Sequence, residues 1–377
     1  MQPQASSLPN PGIGTDLNRN WGFQWSCCAG PSYPGTGPFS APETVSLRTF
    51  VESHHSQRAP IKVAVDVHAY TEAVIWPFGY TKAATVAGQM TAQDQDALAT
   101  LGRSMAASNG YRALPLREFY VDATPGTVID WLWATRKVFA YGMEMYPTSY
   151  DLGGFYPPSS VIGRETARNR EAFLQLIAQA DCPYRVVGLQ AQKCGLAAPR
   201  AVFGDNLESA TGWARNLAGR DTATSGRWER AAPKPTDFEN SRMQLGTAVS
   251  PTRVLVTGAG AGANANANDV DGGLATVTSR TIKLPPKTTP QLTLSYSFAY
   301  ANSSPDDSMT VRVGSTSPST VLKLVGVAKK TVAGTWKRVA FNLAPLAGQT
   351  VRIEIAVPDR GNDSLVEAAV DDIKLTY

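Results

Sequence analysis

Apolar positions in the first half of the chain switch repeatedly between a helical and a strand period. After Pro42 they recur at helical spacing, with Val45, Leu47, Phe50 and Val51 on the same stretch. Ser40-Ala41-Pro42-Glu43 has the form of a capping box with proline early in the first turn, so a helix is predicted there. Residues 61–67 form a β-branched run between polar loops and read as a buried strand. Thr91 and Asp94 open a second helix that places Leu98, Leu101 and Met105 on one face, with Gly110 beyond its end. Residues 137–145 read as another strand. Residues 165–180 read as a helix with Phe173, Leu174, Ile177 and Ala180 inward. Strands alternating with helices predict an α/β sheet with helices on both faces over residues 1–185. Such sheets carry their sites at the carboxyl ends of strands, where His68 and Glu144 fall.

After about Gly195 the helical period disappears. Residues 258–267 are a small-residue loop, and short alternating runs follow at 291–297, 309–313, 335–343, 350–356 and 368–377. This pattern predicts a linker over 186–202 and an all-β sandwich or jelly roll over 203–377. A chain of 377 residues has room for both domains.

Composition narrows the function more than the fold. The apolar fraction is 43% and the charged fraction 18%, as in an ordinary globular protein. The net charge of +4 is small and its basic residues are scattered, which argues against nucleic acid as a partner. No apolar run approaches a membrane span, so no membrane partner is expected. Met1-Gln2-Pro3-Gln4-Ala5 has neither a basic nor an apolar segment, so no signal peptide is expected. All 4 cysteines lie within the first 194 residues. Cys27 and Cys28 are adjacent and lack the two-residue spacer usual in zinc sites. Free thiols are one reading of the set.

Four strings carry candidate chemistry. Asn18-Arg19, within Gly14-Thr15-Asp16-Leu17-Asn18-Arg19-Asn20-Trp21, pairs an amide with a planar guanidinium, a combination suited to gripping a carboxylate. A plain turn is the alternative. His68 ends the 61–67 strand and is followed by Ala69-Tyr70. A lone histidine there is ordinarily structural, and a metal ligand is the alternative. Ile129-Asp130-Trp131 comes next, and Glu144 stands in a mostly apolar strand, where an unpaired carboxylate is costly. In this order and spacing the strings resemble the zinc carboxypeptidases of the pancreatic carboxypeptidase A type, and within them the bacterial secreted branch. The resemblance covers about residues 8–184. The start and end of the β domain resemble domains appended to bacterial secreted proteases, through Phe203-Gly204-Asp205-Asn206-Leu207-Glu208 and Val370-Asp371-Asp372-Ile373.

The resemblance implies roles. His68 is the last zinc ligand, Glu144 the general base, and Asn18 and Arg19 the clamp on the substrate's terminal carboxylate. Tyr70 and Tyr120 join the substrate-binding set. Tyr120 stands ten residues before Asp130, whereas the family tyrosine stands eight before, where this chain has Asp122. Ile129 takes the floor of the side-chain pocket and implies a preference for apolar C-terminal residues. Glu72 reads as a solvated carboxylate and not a second ligand, since a strand does not bring residues four apart together. A Cys182–Cys194 bridge is the preferred pairing for a secreted relative, and an extracellular monomer acting on peptides or proteins is implied. The family also opens its zinc site with His-x-x-Glu and carries an oxyanion-stabilising arginine upstream. His54, His55 and His68 are followed three residues later by Gln57, Arg58 and Thr71, so none opens that motif. The expectation is therefore the back portion of a carboxypeptidase domain, weakly holding zinc or not at all. The alternative is an inactive remnant that binds through its β domain. Asp205, Glu208, Asp269, Asp271, Asp371 and Asp372 are candidate calcium ligands there.

Overall fold

A computed structural model describes residues 14–27, 32–55, 60–210, 212–262, 264–360 and 364–377. The chain divides into two compact units, Met1–Gly195 and Leu196–Tyr377.

The first unit contains strands β1 (Val63–Ala69), β2 (Ala73–Trp76), β3 (Arg112–Pro115) and β4 (Phe139–Met145). Its helices are α1 (Pro42–His55), α2 (Ala92–Asn109), α3 (Leu116–Phe119), α4 (Val128–Arg136), α5 (Ile162–Ile177) and α6 (Gln190–Cys194). The sheet order is β1-β4-β2-β3, with β1 parallel to β4, β4 antiparallel to β2 and β2 parallel to β3. The first domain is thus a mixed α/β sheet. Helix α2 starts as its sequence demands: Thr91 and Asp94 complete a reciprocal capping box, and Gly110 closes the helix in the left-handed conformation.

Two helices turn a different face inward from the one hydrophobicity predicts. In α1 only Thr44 and Val51 are buried, while Val45, Leu47 and Phe50 are exposed. The start of α1 is organised by Asn20, whose Oδ1 accepts from the Ala41 amide at 3.1 Å and the Thr44 hydroxyl at 2.8 Å. In α5 the buried positions are Glu165, Asn169, Ala172 and Leu176, while Leu174 and Ile177 are exposed. The reason is polar packing: Asn169 bonds Asn109 of α2 at 2.8 Å and the Tyr111 hydroxyl at 3.0 Å. Residues 190–194, expected within a linker, form α6 instead, and Cys194 is disulfide-bonded to Cys182. Cys28 lies outside the described residues.

The second unit is all β. Its strands are β5 (Ala201–Asp205), β6 (Ala214–Arg215), β7 (Trp228–Ala231), β8 (Thr236–Phe238), β9 (Ser241–Gln244), β10 (Val254–Thr257) and β11 (Gly273–Thr278). They continue with β12 (Ile282–Lys283), β13 (Gln291–Ala301), β14 (Ser308–Gly314), β15 (Ser319–Val325), β16 (Lys337–Asn342), β17 (Thr350–Asp359) and β18 (Leu365–Thr376). One antiparallel sheet runs β16-β13-β18-β10-β7, with β5 also on β18. The other runs β15-β14-β17-β11-β6, with β12 also on β17. Buried Trp228 links them by donating to the Ala275 carbonyl at 3.3 Å. Strands β10, β11 and β15 lie outside the runs predicted from the sequence.

Candidate functional site

Strand pairing builds the site. In the parallel β1–β4 register, His68 stands beside Glu144 and Asp66 beside Gly142. Side chains two apart on a strand share a face, so Asp66, His68 and Glu144 form one polar row at the carboxyl ends of adjacent strands.

Asn18 and Arg19 reach this row from a 3-10 turn at Leu17–Arg19, capped by the Asp16 carboxylate on the Asn18 amide at 3.0 Å. Gly126 packs under the turn at a φ of 67°, where a Cβ would stand 2.3 Å from the Arg19 carbonyl oxygen, so only glycine fits. The Asn18 Oδ1 accepts from the Val128 amide at 2.9 Å, and its Nδ2 lies 3.1 Å from both Asp66 Oδ2 and His68 Nε2. The Arg19 guanidinium donates to the Asn18 carbonyl at 2.7 Å, yet its buried Nε has no partner. Tyr120 hydrogen-bonds Arg19 and senses the charge of Glu144. Of the two candidate positions, Tyr120 is the one that stands beside Arg19. Asn18, Arg19, His68, Tyr120 and Glu144 are one electrostatic neighbourhood.

Titration within it is displaced. Burial lifts the Glu144 carboxyl to about 7; His68 and Arg112 pull it back while Asp66 pushes it further. The Asp66 hydrogen bond raises His68, against burial. Burial and the Glu144 charge raise the Tyr120 hydroxyl, and Arg19 opposes them. Asp66 escaped the sequence reading, although its place two residues before His68 was a usable signal. It sits 2.6 Å from His68 Nε2.

Other expected residues lie elsewhere. Tyr70 stacks edge-on with Phe155, ring centroids 4.9 Å apart. Ile129 is 3% exposed inside a cluster with Trp21, Val51, Ile75 and Leu132. Its helix supplies Asp130, which is fully buried and accepts from the Gly79 and Tyr80 amides. Glu72 is not solvated: it is buried and doubly bonded to Arg168, at 2.9 and 3.0 Å.

Residues 2–172 match the family model described as zinc carboxypeptidase. Over this segment, a little under half of the chain, the sequence is similar to zinc carboxypeptidases. A zinc carboxypeptidase of Saccharothrix mutabilis subsp. capreolus is 40% identical to this chain over 186 residues, covering 47% of this chain and 41% of the relative. Zinc carboxypeptidase A 1 of Drosophila melanogaster is 31% identical over 164 residues, covering 40% of this chain and 36% of that protein. Bovine thrombin-activatable fibrinolysis inhibitor, solved with tick carboxypeptidase inhibitor, overlaps at a TM-score of 0.39 and 20% identity, covering 48% of this chain and 61% of that one. The chain spans about two-fifths of the length of the curated relatives it matches.

His68 is the one zinc-ligand candidate that the family resemblance points to. A catalytic zinc ordinarily has three protein ligands. Among the described residues no group of three His, Cys, Asp or Glu side chains is placed to hold a metal. By themselves these residues do not fit a complete zinc site. In the second unit the candidate calcium ligands are largely spent on loop bonds. Asp205 accepts from the Leu207 amide and the Trp213 indole, Glu208 from Thr252 and Arg253, and Asp371 from Val249 and Ser250.

Proposed function

We propose that the first unit holds the carboxylate end of a polypeptide and presents Glu144 as a general base for hydrolysis of the C-terminal peptide bond. The observation that carries this reading is the buried Glu144 carboxyl in register beside His68 at the strand ends, with burial raising it to about 7 and Arg19 in the same field. A base with that affinity accepts and returns a proton near neutral pH. Arg19, with Asn18 fixed beside it, presents positive charge to a chain-end carboxylate, which only a free C-terminus offers. Zinc belongs to the chemistry of the family. The described residues supply one of its ligands, and the hydrolytic step needs donors beyond them.

That shortfall favours a second reading in which the unit binds chain ends without cleaving them. A preference for apolar terminal residues belongs to the proposal too, although with Ile129 in the core it rests on the family resemblance.

Binding of an N-blocked dipeptide ending in Phe, against its C-terminal amide, tests the clamp by calorimetry. The free acid is expected to bind better, and Arg19→Ala should weaken it by about tenfold or more. Equal binding of acid and amide would refute the clamp. Release of the terminal residue with zinc present, lost in Glu144→Gln, separates hydrolysis from mere binding. A Lys-ending dipeptide cleaved faster than the Phe-ending one would overturn the apolar preference.

A further inference from the structure

The second unit carries a concavity of about 340 Å³ on the outer face of the β15-β14-β17-β11 sheet. Strand register shows how it is made. Lys323, Thr310, Ala356 and Thr276 are successive partners across four strands, and Arg312 pairs with Glu354 in an adjoining row. The alternate residues Val311, Ile355, Ala275 and Val277 are buried beneath. Small and hydroxyl side chains thus form the floor, and charged ones the walls.

The charges do not cancel. Glu354 is held between Arg220 at 2.8 Å and Arg312 at 3.5 Å. Asp221 at the margin is engaged by the Thr276 amide and hydroxyl, at 2.9 and 2.5 Å. Lys323 and Arg360 are exposed on the lining, and neither side chain has an anionic partner among the described residues. Asp306 is the remaining acid of the lining. Four cations against two acids leave the walls net positive. No aromatic side chain lines the concavity, so nothing there offers a stacking platform for a sugar ring. With strands about 4.8 Å apart, four of them span about 14 Å, the length of roughly four residues of extended chain.

We infer that this concavity binds an acidic segment of a polypeptide in extended form, its carboxylates on Lys323 and Arg360 and its backbone over the threonine floor. The site goes beyond the peptidase reading and stands whether or not that reading does.

The test uses the full chain and a hexaglutamate peptide blocked at both ends, which presents no free C-terminus to the first unit. Calorimetry should show saturable binding that weakens with salt. The double variant Lys323→Glu/Arg360→Glu should weaken it by about tenfold or more, since two favourable charge contacts become repulsive. Lys323→Gln/Arg360→Gln should fall between, with melting temperatures unchanged because both positions are exposed. Arg19→Ala should leave this affinity unchanged, which separates the site from the clamp. Equal binding of blocked hexaglutamine, or full affinity in the charge-reversed variant, would overturn the assignment. Tighter binding of an acidic oligosaccharide such as oligogalacturonate would overturn it in favour of a saccharide.

Discussion

Glu144 works against the stability of the fold that holds it. Its carboxyl has an ordinary value of 4.5 in the unfolded chain and about 7 when buried. Below pH 4.5 it is protonated in both states and costs little. Between those values the folded chain keeps a proton that the unfolded chain has released, so its contribution to stability falls as pH rises and is lost above 7. Glu144→Gln removes this dependence. Thermal melts of variant and parent should coincide near pH 4, with the variant more stable by up to about 3 kcal/mol at pH 8. Equal stability at pH 8 would show that a cation neutralises Glu144 in solution. His68 and Glu144 are legible in the sequence through the family resemblance, and Glu144 also as a carboxylate in a mostly apolar strand. Asp66 could not be read so easily: its role appears only once Asn18, 48 residues earlier, is folded against it.

At the scale of elements, Arg168 ties three pieces of the first unit together. From α5 it donates to the Asn109 carbonyl at the end of α2 at 2.6 Å, and its guanidinium lies 4.8 Å from the centre of the Tyr111 ring. It also grips Glu72, in the turn between β1 and β2, through both carboxylate oxygens. Removing the cation leaves a buried carboxylate unpaired, so Arg168→Ala should cost about 3–5 kcal/mol in urea unfolding. Adding Glu72→Gln should restore part of the loss. A cost below about 1 kcal/mol would mean the pair behaves like an exposed one. The same contact explains a limit of pattern reading. The existence of α2 followed from its caps, Thr91 and Gly110. The inward face of α5 did not, because Glu165 and Asn169 are satisfied by partners far along the chain, and an apolar stripe marks burial only where burial is apolar. In α1, Asn20 took the capping role expected of Ser40 for the same reason.

At the scale of the whole molecule, the division at Gly195 and Leu196 makes a prediction of its own. The disulfide lies wholly in the first unit, and the second contains no cysteine. The ends of the second unit are joined within it: the Arg200 amide donates to the Tyr377 carbonyl and the Tyr377 amide to the Arg200 carbonyl, both at 3.0 Å. Beyond that pair, β5 continues along β18. Residues 196–377 are ample for an independent core. Expressed alone, they should melt cooperatively with β-type circular dichroism and retain the affinity for blocked hexaglutamate. A segment of residues 206–377 lacks β5 and the Arg200 pairing, so it exposes an edge of β18 and should melt lower or aggregate. The contrast between the two segments is the decisive measurement. Equal stability would place the working boundary after β5, near the end of the expected linker. A disordered 196–377 product would show that the second unit depends on the first for its fold.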